Sequence, residues 1–341
     1  MNSPSDSFDL SLAEPADGAE LAALYRCDDG FAGDIRVLFA RGQDAYASLL
    51  ADGERIVVPI MRDRASGRIV GMGACVIAPA WVNGELTQVG YLTGMKVLPQ
   101  FRRRLRIPQV YAFLREHSGE VTCYYTTILA DNPQAQRMLE RPRPNMPAYR
   151  PVGTYTTIFA RRALRPGRVA GGGTVAELLE LAGPATRFNL TRAEPAAGLS
   201  DAQVRILRSD DGTALAGCAV TVPDHKEYLV QGYGGPYAAL SRLPVHWAGY
   251  PRLPRAGSSA DYACLSLLSG QPAAVSALLR SVAWEQRKRD FVMAGVVEGH
   301  PLAAALAEVR AIRYRSVLYT VGFTNTQHLD ERPIGLEVGL L

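Results

Sequence analysis

The chain repeats itself. Gly73-x-x-Val76-x-x-Pro79 and Gly217-x-x-Val220-x-x-Pro223 share one pattern at a constant offset of 144 residues, and each follows a short strand-like run, Arg68-Ile69-Val70 or Thr213-Ala214-Leu215. Farther along, the segment Val121–Leu129 matches Phe291–Val297, and the helix start Asn132-Pro133 matches His300-Pro301 at a longer offset of 168 residues. The added length falls between Asp224 and Ser259, a stretch rich in Gly, Pro and Tyr that reads as loop. The closing segments Thr154–Ala160 and Arg313–Val321 both alternate apolar with polar residues, the period of a half-buried strand. An ordered series of matches, broken by one insertion, implies two copies of a single α/β unit. Between them, Arg165-Pro166-Gly167 through Gly171-Gly172-Gly173 has the composition of a flexible connector. The expected organisation is a first unit over residues 8–163, a connector at 164–173, a second unit over 174–325 and a tail at 326–341.

Composition narrows the class. At 341 residues, 48% apolar and 21% charged, the chain is long enough for two ordinary globular domains with buried cores. A net charge of +4 makes no general case for nucleic acid. No apolar run reaches the ~18 residues needed to span a membrane, and the N-terminus lacks the basic and apolar regions of a secretory signal. The scattered cysteines Cys27, Cys75, Cys123, Cys218 and Cys264 form no C-x-x-C pair, which points to reduced thiols in a cytoplasmic protein. The histidines show no ligand spacing with one another or with cysteine, so no protein-built metal site is expected.

Within the first unit, helices are expected over Asp17–Arg26 and about Gly42–Ala51, then strands at Arg55–Ile60, Ile69–Ala78 and Val89–Val97. A helix at Pro108–Glu116, a strand at Val121–Leu129, a helix at Asn132–Glu140 and a strand at Tyr155–Ala160 complete it. The long strand Val89–Val97 opens into Arg102-Arg103-Arg104-Leu105-Arg106 before the next helix. A strand running through a cationic turn into a helix N-terminus is an anion site: backbone N–H groups and the helix dipole favour a phosphate, and arginine forks add charge and donors. The second unit has the short neutral turn Leu267-Leu268-Ser269-Gly270-Gln271-Pro272 at the equivalent place, with no phosphate cradle. Aromatic residues of its insertion, among them Tyr228, Tyr233, Tyr237, Trp247 and Tyr250, are candidates for a pocket wall, an interface or a packed loop.

The run Val97-Leu98-Pro99-Gln100-Phe101-Arg102 resembles the acyl-CoA-binding loop of the GNAT acetyltransferase superfamily, whose usual form is Val-x-Pro-x-Tyr/Phe-Arg-Gly-x-Gly-x-Gly/Ala. Asn132-x-x-Ala135 matches the family's Asn-x-x-Ala after the fifth strand. The resemblance implies an α/β fold of two GNAT-like domains, each a mixed, mostly antiparallel sheet flanked by helices, the second a degenerate copy. It implies an acyl-CoA-dependent N-acyltransferase that moves an acyl group, with acetyl-CoA as donor, to the amine of a small molecule or peptide. Met95, Lys96 and Val97 would pair with the pantetheine arm, the amides of Arg102, Arg103, Arg104, Leu105 and Arg106 would hold the pyrophosphate, and Asn132 would lie beside them. The acceptor would enter between the splayed fourth and fifth strands, with the junction of the halves as mouth, and a homodimer is compatible.

The chain departs from the family pattern. Arg103, Leu105 and Ile107 stand where glycines let the backbone approach the ligand. The tyrosine seven residues after the asparagine is Leu139, and the Gly-Phe that usually follows is replaced by the proline-rich stretch Arg141–Arg150. Tyr149 and Tyr125 are then the candidate proton donors, with Tyr91 a further one, and Glu85 precedes the strand that would carry a base. Two other readings remain: a CoA-binding scaffold without turnover, and an aminoacyl-tRNA-dependent transferase, which would require a broad basic surface.

Overall fold

The computed structural model describes residues 7–27, 34–102, 104, 107–323 and 328–341; the side chain of Trp247 is outside the description. In chain order, the first half contains β1 (Phe8–Leu12), α1 (Gly18–Arg26), β2 (Ile35–Ala40), α2 (Ala45–Leu50), β3 (Arg55–Val57), β4 (Pro59–Asp63), β5 (Ile69–Val82), β6 (Glu85–Val97), α3 (Ile107–Ser118), β7 (Cys123–Leu129), α4 (Pro133–Glu140) and β8 (Ala148–Ala160). The second contains β9 (Gly171–Gly172), α5 (Val175–Ala182), β10 (Val204–Arg208), β11 (Ala214–Thr221), β12 (Glu227–Tyr233), α6 (Gly235–Leu240), β13 (Tyr262–Gly270), α7 (Pro272–Glu285), β14 (Phe291–Val297), α8 (Ala303–Ala307) and β15 (Ala311–Gly322).

Local chemistry sets these limits. Asp44 accepts the Ala47 amide to start α2, Asn132 accepts the Ala135 amide to start α4, and Thr174 with Glu177 forms a reciprocal cap on α5. Asn83-Gly84 links β5 to β6 with both residues at positive φ, the two-residue turn whose twist suits a tight hairpin. That hairpin extends β6 back to Glu85, so Glu85 opens the strand instead of preceding it, at the end far from the arginine turn.

The fold is mixed α/β: the described residues form a thirteen-stranded, mostly antiparallel sheet flanked by helices, in the order β1-β4-β5-β6-β7-β15-β8-β14-β13-β11-β10-β9, with β3 beside β5. Its centre holds an exchange. The closing strand of the first half, β8, lies between β15 and β14, while the closing strand of the second half, β15, lies between β7 and β8. The two run antiparallel from Ala148↔Gly322 to Ala160↔Ala311. Gly171-Gly172, part of the expected flexible connector, forms the edge strand β9 on β10.

The insertion between Asp224 and Ser259, read as loop from its composition, contains β12, which pairs with β2 in a separate two-stranded ribbon. Neither strand was legible alone, because each finds its partner in the other half of the chain. The ribbon lies over the core, where Phe39 of β2 packs on Tyr25 and Tyr228.

β5 and β6 slip in register between Met72 and Ala74, opposite Lys96 and Thr93. The slip is a bulge at Gly94, which has φ +63°. A Cβ there would overlap the Tyr25 hydroxyl, so conformation and space both require glycine. Gly94→Ala is expected to cost on the order of 3 kcal/mol in chemical denaturation. Part of that loss should return in the Gly94→Ala/Tyr25→Phe double variant, where the overlapping oxygen is gone.

Candidate functional site

β6 and β7 pair in parallel only at Val89↔Cys123, Gly90↔Tyr124 and Tyr91↔Tyr125. Beyond Tyr91 the strands diverge, because the bulge at Gly94 turns β6 away from its neighbour. The Thr126 hydroxyl donates to the Leu92 carbonyl at 2.7 Å and closes the apex of the gap. Past that point, among the described residues, the β7-facing backbone of Thr93–Val97 has no strand opposite it. An unpaired strand edge is a template for an extended ligand carrying amides.

The gap opens into a cavity of about 410 Å³. Thr93–Lys96 and Thr126–Leu129 line it, with Ile107 and Tyr111 of α3, Leu139 of α4 and Asn132, the cap of that helix. Its inner part passes under the ribbon, between Phe39, Tyr228, Tyr233, Phe291 and Tyr314. The lining is therefore largely apolar and draws on both halves of the chain, the usual setting for a small-molecule pocket.

The structure distributes the expected site residues unevenly. Met95 and Lys96 line the cavity, whereas Val97 lies at its rim, paired with Gly71. Arg102 and Arg104 are exposed in the turn after Pro99–Phe101. Their amides donate to the carbonyls of Pro99 at 3.4 Å and Phe101 at 2.9 Å, so an anion there would meet their side chains and not these two N–H groups. Arg103, Leu105 and Arg106 lie outside the described residues. Asn132 lines the cavity, but its Oδ1 is committed to the Ala135 amide at 3.1 Å.

Tyr149 lines the cavity and shares a hydrogen bond with the Tyr111 hydroxyl. Burial, followed by the neighbouring Tyr111, pushes its phenol well above the usual range, and burial raises Tyr111 to about 12. Tyr125 is buried and stacks on Tyr91 with ring centroids 5.0 Å apart; it is not in the cavity lining. Burial raises its phenol too.

Sequence reasoning missed a buried charge cluster behind the ribbon. Asp52 takes Arg41 Nη1 at 2.7 Å, Lys226 Nζ at 2.9 Å and His225 Nε2 at 3.3 Å. Burial alone would raise the Asp52 carboxyl, but the His225 hydrogen bond and the Lys226 and Arg41 charges outweigh it and hold the group below the usual range. Positions 41, 52 and 226 carry no spacing signal, so only the fold brings them together. Gly94, the second of two glycines inside the β6 run after Gly90, is a residue type that can signal such a bulge.

A second opening of the same construction lies across the sheet. β13 and β14 pair in parallel at Tyr262↔Phe291, Ala263↔Val292 and Cys264↔Met293. Leu267, three residues beyond, has φ +51°, and β11 slips against β13 between Gly217 and Ala219. Here the gap is filled by the chain's own tail: the Leu267 amide donates to Glu337 Oε1 at 2.9 Å, and Asn189 pairs with Pro333 and Gly335. Among the described residues no group of His, Cys, Asp and Glu has a metal-binding arrangement, and no helix is long and apolar enough to cross a membrane.

No family model and no curated protein matches the sequence. Solved structures do match the fold. An N-myristoyltransferase from Saccharomyces cerevisiae with bound myristoyl-CoA aligns with a TM-score of 0.58 at 10% identity, over 98% of this chain and 93% of that one. A GCN5-related N-acetyltransferase from Sphaerobacter thermophilus aligns with a TM-score of 0.55 at 14% identity, over 94% and 98%. A GCN5-related glucosamine N-acetyltransferase region of a fungal multi-domain β-N-acetylglucosaminidase gives 0.57 at 14%, over 92% of this chain and 38% of that one. The chain has the GNAT fold.

Burial raises the Glu337 carboxyl to about 7 from its ordinary 4.5, with the Leu267 amide only partly opposing the shift. The folded state then keeps a proton that the unfolded chain has released. The resulting stability is present below 4.5 and is lost as pH rises to about 7. Compared with Glu337→Gln, the wild type should lose on the order of 3 kcal/mol over that window in denaturant titrations. Parallel stability curves for the two proteins would contradict the assignment.

Proposed function

We propose that this chain is an acyl-CoA-dependent N-acyltransferase acting at the opening between β6 and β7. The observation that carries this reading is the backbone of Thr93–Val97, which faces an open gap at the mouth of a cavity. A pantetheine arm presents amides at intervals suited to such an edge, and its thioester would lie near the Gly94 bulge. Beyond Val97, the side chains of Arg102 and Arg104 and the N-terminal end of α3 favour the phosphates. In this reading Met95, Lys96, Val97 and Asn132 bind the arm, as the sequence pattern leads one to expect, and Arg103, Leu105 and Arg106, outside the described residues, belong to the same phosphate assignment. The likeness in fold to proteins whose names specify acyl-CoA and N-acyl transfer supports the same reading.

The finer assignments are part of the proposal. The donor is acetyl-CoA. The acceptor is the amine of a small molecule or peptide, and it approaches through the inner cavity. The aromatic lining there, with Phe39, Tyr228 and Tyr314, suits an acceptor with an apolar or aromatic body. Residues 8–163 form the acyl-CoA-binding unit and 174–325 a degenerate second copy, whose corresponding gap holds the tail at Glu337. The protein works in the cytoplasm.

Calorimetric titration with acetyl-CoA and longer acyl-CoAs, followed by thiol release with a panel of amines, tests the reading. Binding with turnover supports it. Binding without turnover on a wide panel would instead indicate a CoA-binding scaffold, and salt-sensitive capture of aminoacyl-tRNA would indicate the tRNA-dependent reading. Arg102→Ala/Arg104→Ala should weaken acetyl-CoA about tenfold or more, because two charge-assisted phosphate contacts are lost. Its melting temperature should not change, since exposed arginines add little stability. Unchanged affinity in the double variant would refute the phosphate assignment.

A further inference from the structure

The cavity behind the β6–β7 gap has a second end, and a cation stands at it. Pro251, Arg252, Leu253 and Pro254 line that end, where the insertion returns toward β13. The segment is held in place: the Arg252 amide donates to the Asp290 carbonyl at 3.0 Å, and the Tyr233 hydroxyl donates to the Pro254 carbonyl at 2.7 Å. Pro251 is buried, Leu253 and Pro254 are half-buried, and Arg252 is exposed. The Arg252 guanidinium makes no hydrogen bond or ion pair among the described residues. Lys96, on β6, is the other charged side chain among the described lining residues, and no Asp, Glu or His side chain joins them.

We propose that the acceptor is an amine carrying a carboxylate at the far end of an apolar or aromatic body, and that Arg252 selects it by pairing with that carboxylate. This rests on the acyl-CoA reading of the β6–β7 gap. The amine meets the thioester near the Gly94 bulge, the body lies under the ribbon against Phe39, Tyr228 and Phe291, and the carboxylate takes the Arg252 guanidinium. β14, which begins beside Asp290, is four strands from β6 in the order β6-β7-β15-β8-β14. At about 4.8 Å per strand the two ends are separated by up to roughly 19 Å along the sheet. An α-amino acid, whose amine and carboxylate are neighbours, is too short to engage both. A short peptide with a free C-terminus and a long ω-amino carboxylate share the required chemistry.

Desolvation decides the sign of the partner. A guanidinium at the edge of an apolar cavity loses water when a ligand fills the space beside it, and an anion is the partner that offsets the loss. A ligand ending in an apolar group would strip that water and return nothing. The field at this end is positive as well. Arg161, just after β8, donates to the His246 and Arg287 carbonyls at 3.0 and 2.8 Å and keeps a buried, unpartnered Nε. Burial and then the Arg252 charge hold the Arg161 guanidinium below its ordinary value, and burial, Arg161 and Arg252 do the same to His246. The carboxylate that opposes them, Asp290, lies outside the cavity lining and already accepts the Asp261 amide at 2.9 Å. Burial raises the Asp290 carboxyl against the pull of both arginines, so it neutralises them poorly.

Matched acceptors test the assignment: short peptides of phenylalanine and leucine, and long ω-amino carboxylates, each as the free acid and as the amide, with leucine and its amide as the short control. Thiol release from acetyl-CoA then gives kcat/KM for each. The wild type should favour the free acid over its amide by about tenfold or more in at least one long series, with the difference in KM. Leucine should gain nothing from its carboxylate. Arg252→Ala should abolish the preference, Arg252→Glu should reverse it, and Arg252→Lys should restore part of it, since a point charge replaces a bidentate fork. The melting temperature and the calorimetric Kd for acetyl-CoA should not change in Arg252→Ala, because the guanidinium has no partner in the fold. Equal rates for acid and amide in the wild type, or a preference that survives in Arg252→Ala, would overturn the role of Arg252 and leave the transferase standing on its turnover. So would turnover of other amines with none of the carboxylates accepted. No thiol release with any amine would remove the transferase reading and the role of Arg252 together.

Discussion

The pairing of β8 with β15 is the contact on which the rest of the molecule depends. Each strand closes the sheet of the half it does not belong to, and the ladder between them runs from Ala148↔Gly322 to Ala160↔Ala311. Without β15, β7 would end in an open edge; without β8, so would β14. Open edges of this length invite pairing with other chains. The exchange removes both at once. It also places residues of the second half, such as Phe291 and Tyr314, in the wall of a cavity whose mouth is built by the first.

The site depends on a smaller constraint within that frame. A continuous β6–β7 ladder would leave no gap, and the bulge at Gly94 prevents one from forming. The second opening repeats the device at Leu267, a residue for which positive φ is costly. There the tail supplies the missing partner through Glu337. Similar backbone geometry therefore serves two ends: one opening leads to a cavity, and the other is closed by the chain itself.

What the sequence revealed follows a physical division. The run from the long strand through Pro99 and the arginines into α3 was legible because each step depends on neighbours in the chain. So was the start of α4, where Asn132 caps its own helix. The ribbon of β2 and β12 was not, since each strand finds its ladder partner in the other half of the chain. The exchange of β8 and β15 was also hidden: the two segments have similar alternating patterns, and nothing local says which slot either will fill. The Arg41–Asp52–Lys226 cluster was hidden for a related reason, because charged residues read as surface until the fold encloses them. The arginine turn shows the opposite limit. Its composition was plain, but the use of the Arg102 and Arg104 amides within the turn itself was a matter of geometry.

The exchanged strands also bear on how the protein is made. β7 and β8 are synthesised long before β15, with roughly 150 residues between the end of β8 and the start of its partner, or about ten seconds or more of translation. During that interval the first half can collapse around α1 and the β5–β6 hairpin, but β7 has only β6 beside it and β8 has neither of its native neighbours. Folding of the sheet is therefore tied to the arrival of distant sequence, a high contact order that slows assembly. The same strand exchange that leaves the finished molecule without open edges at its centre leaves the nascent one with two.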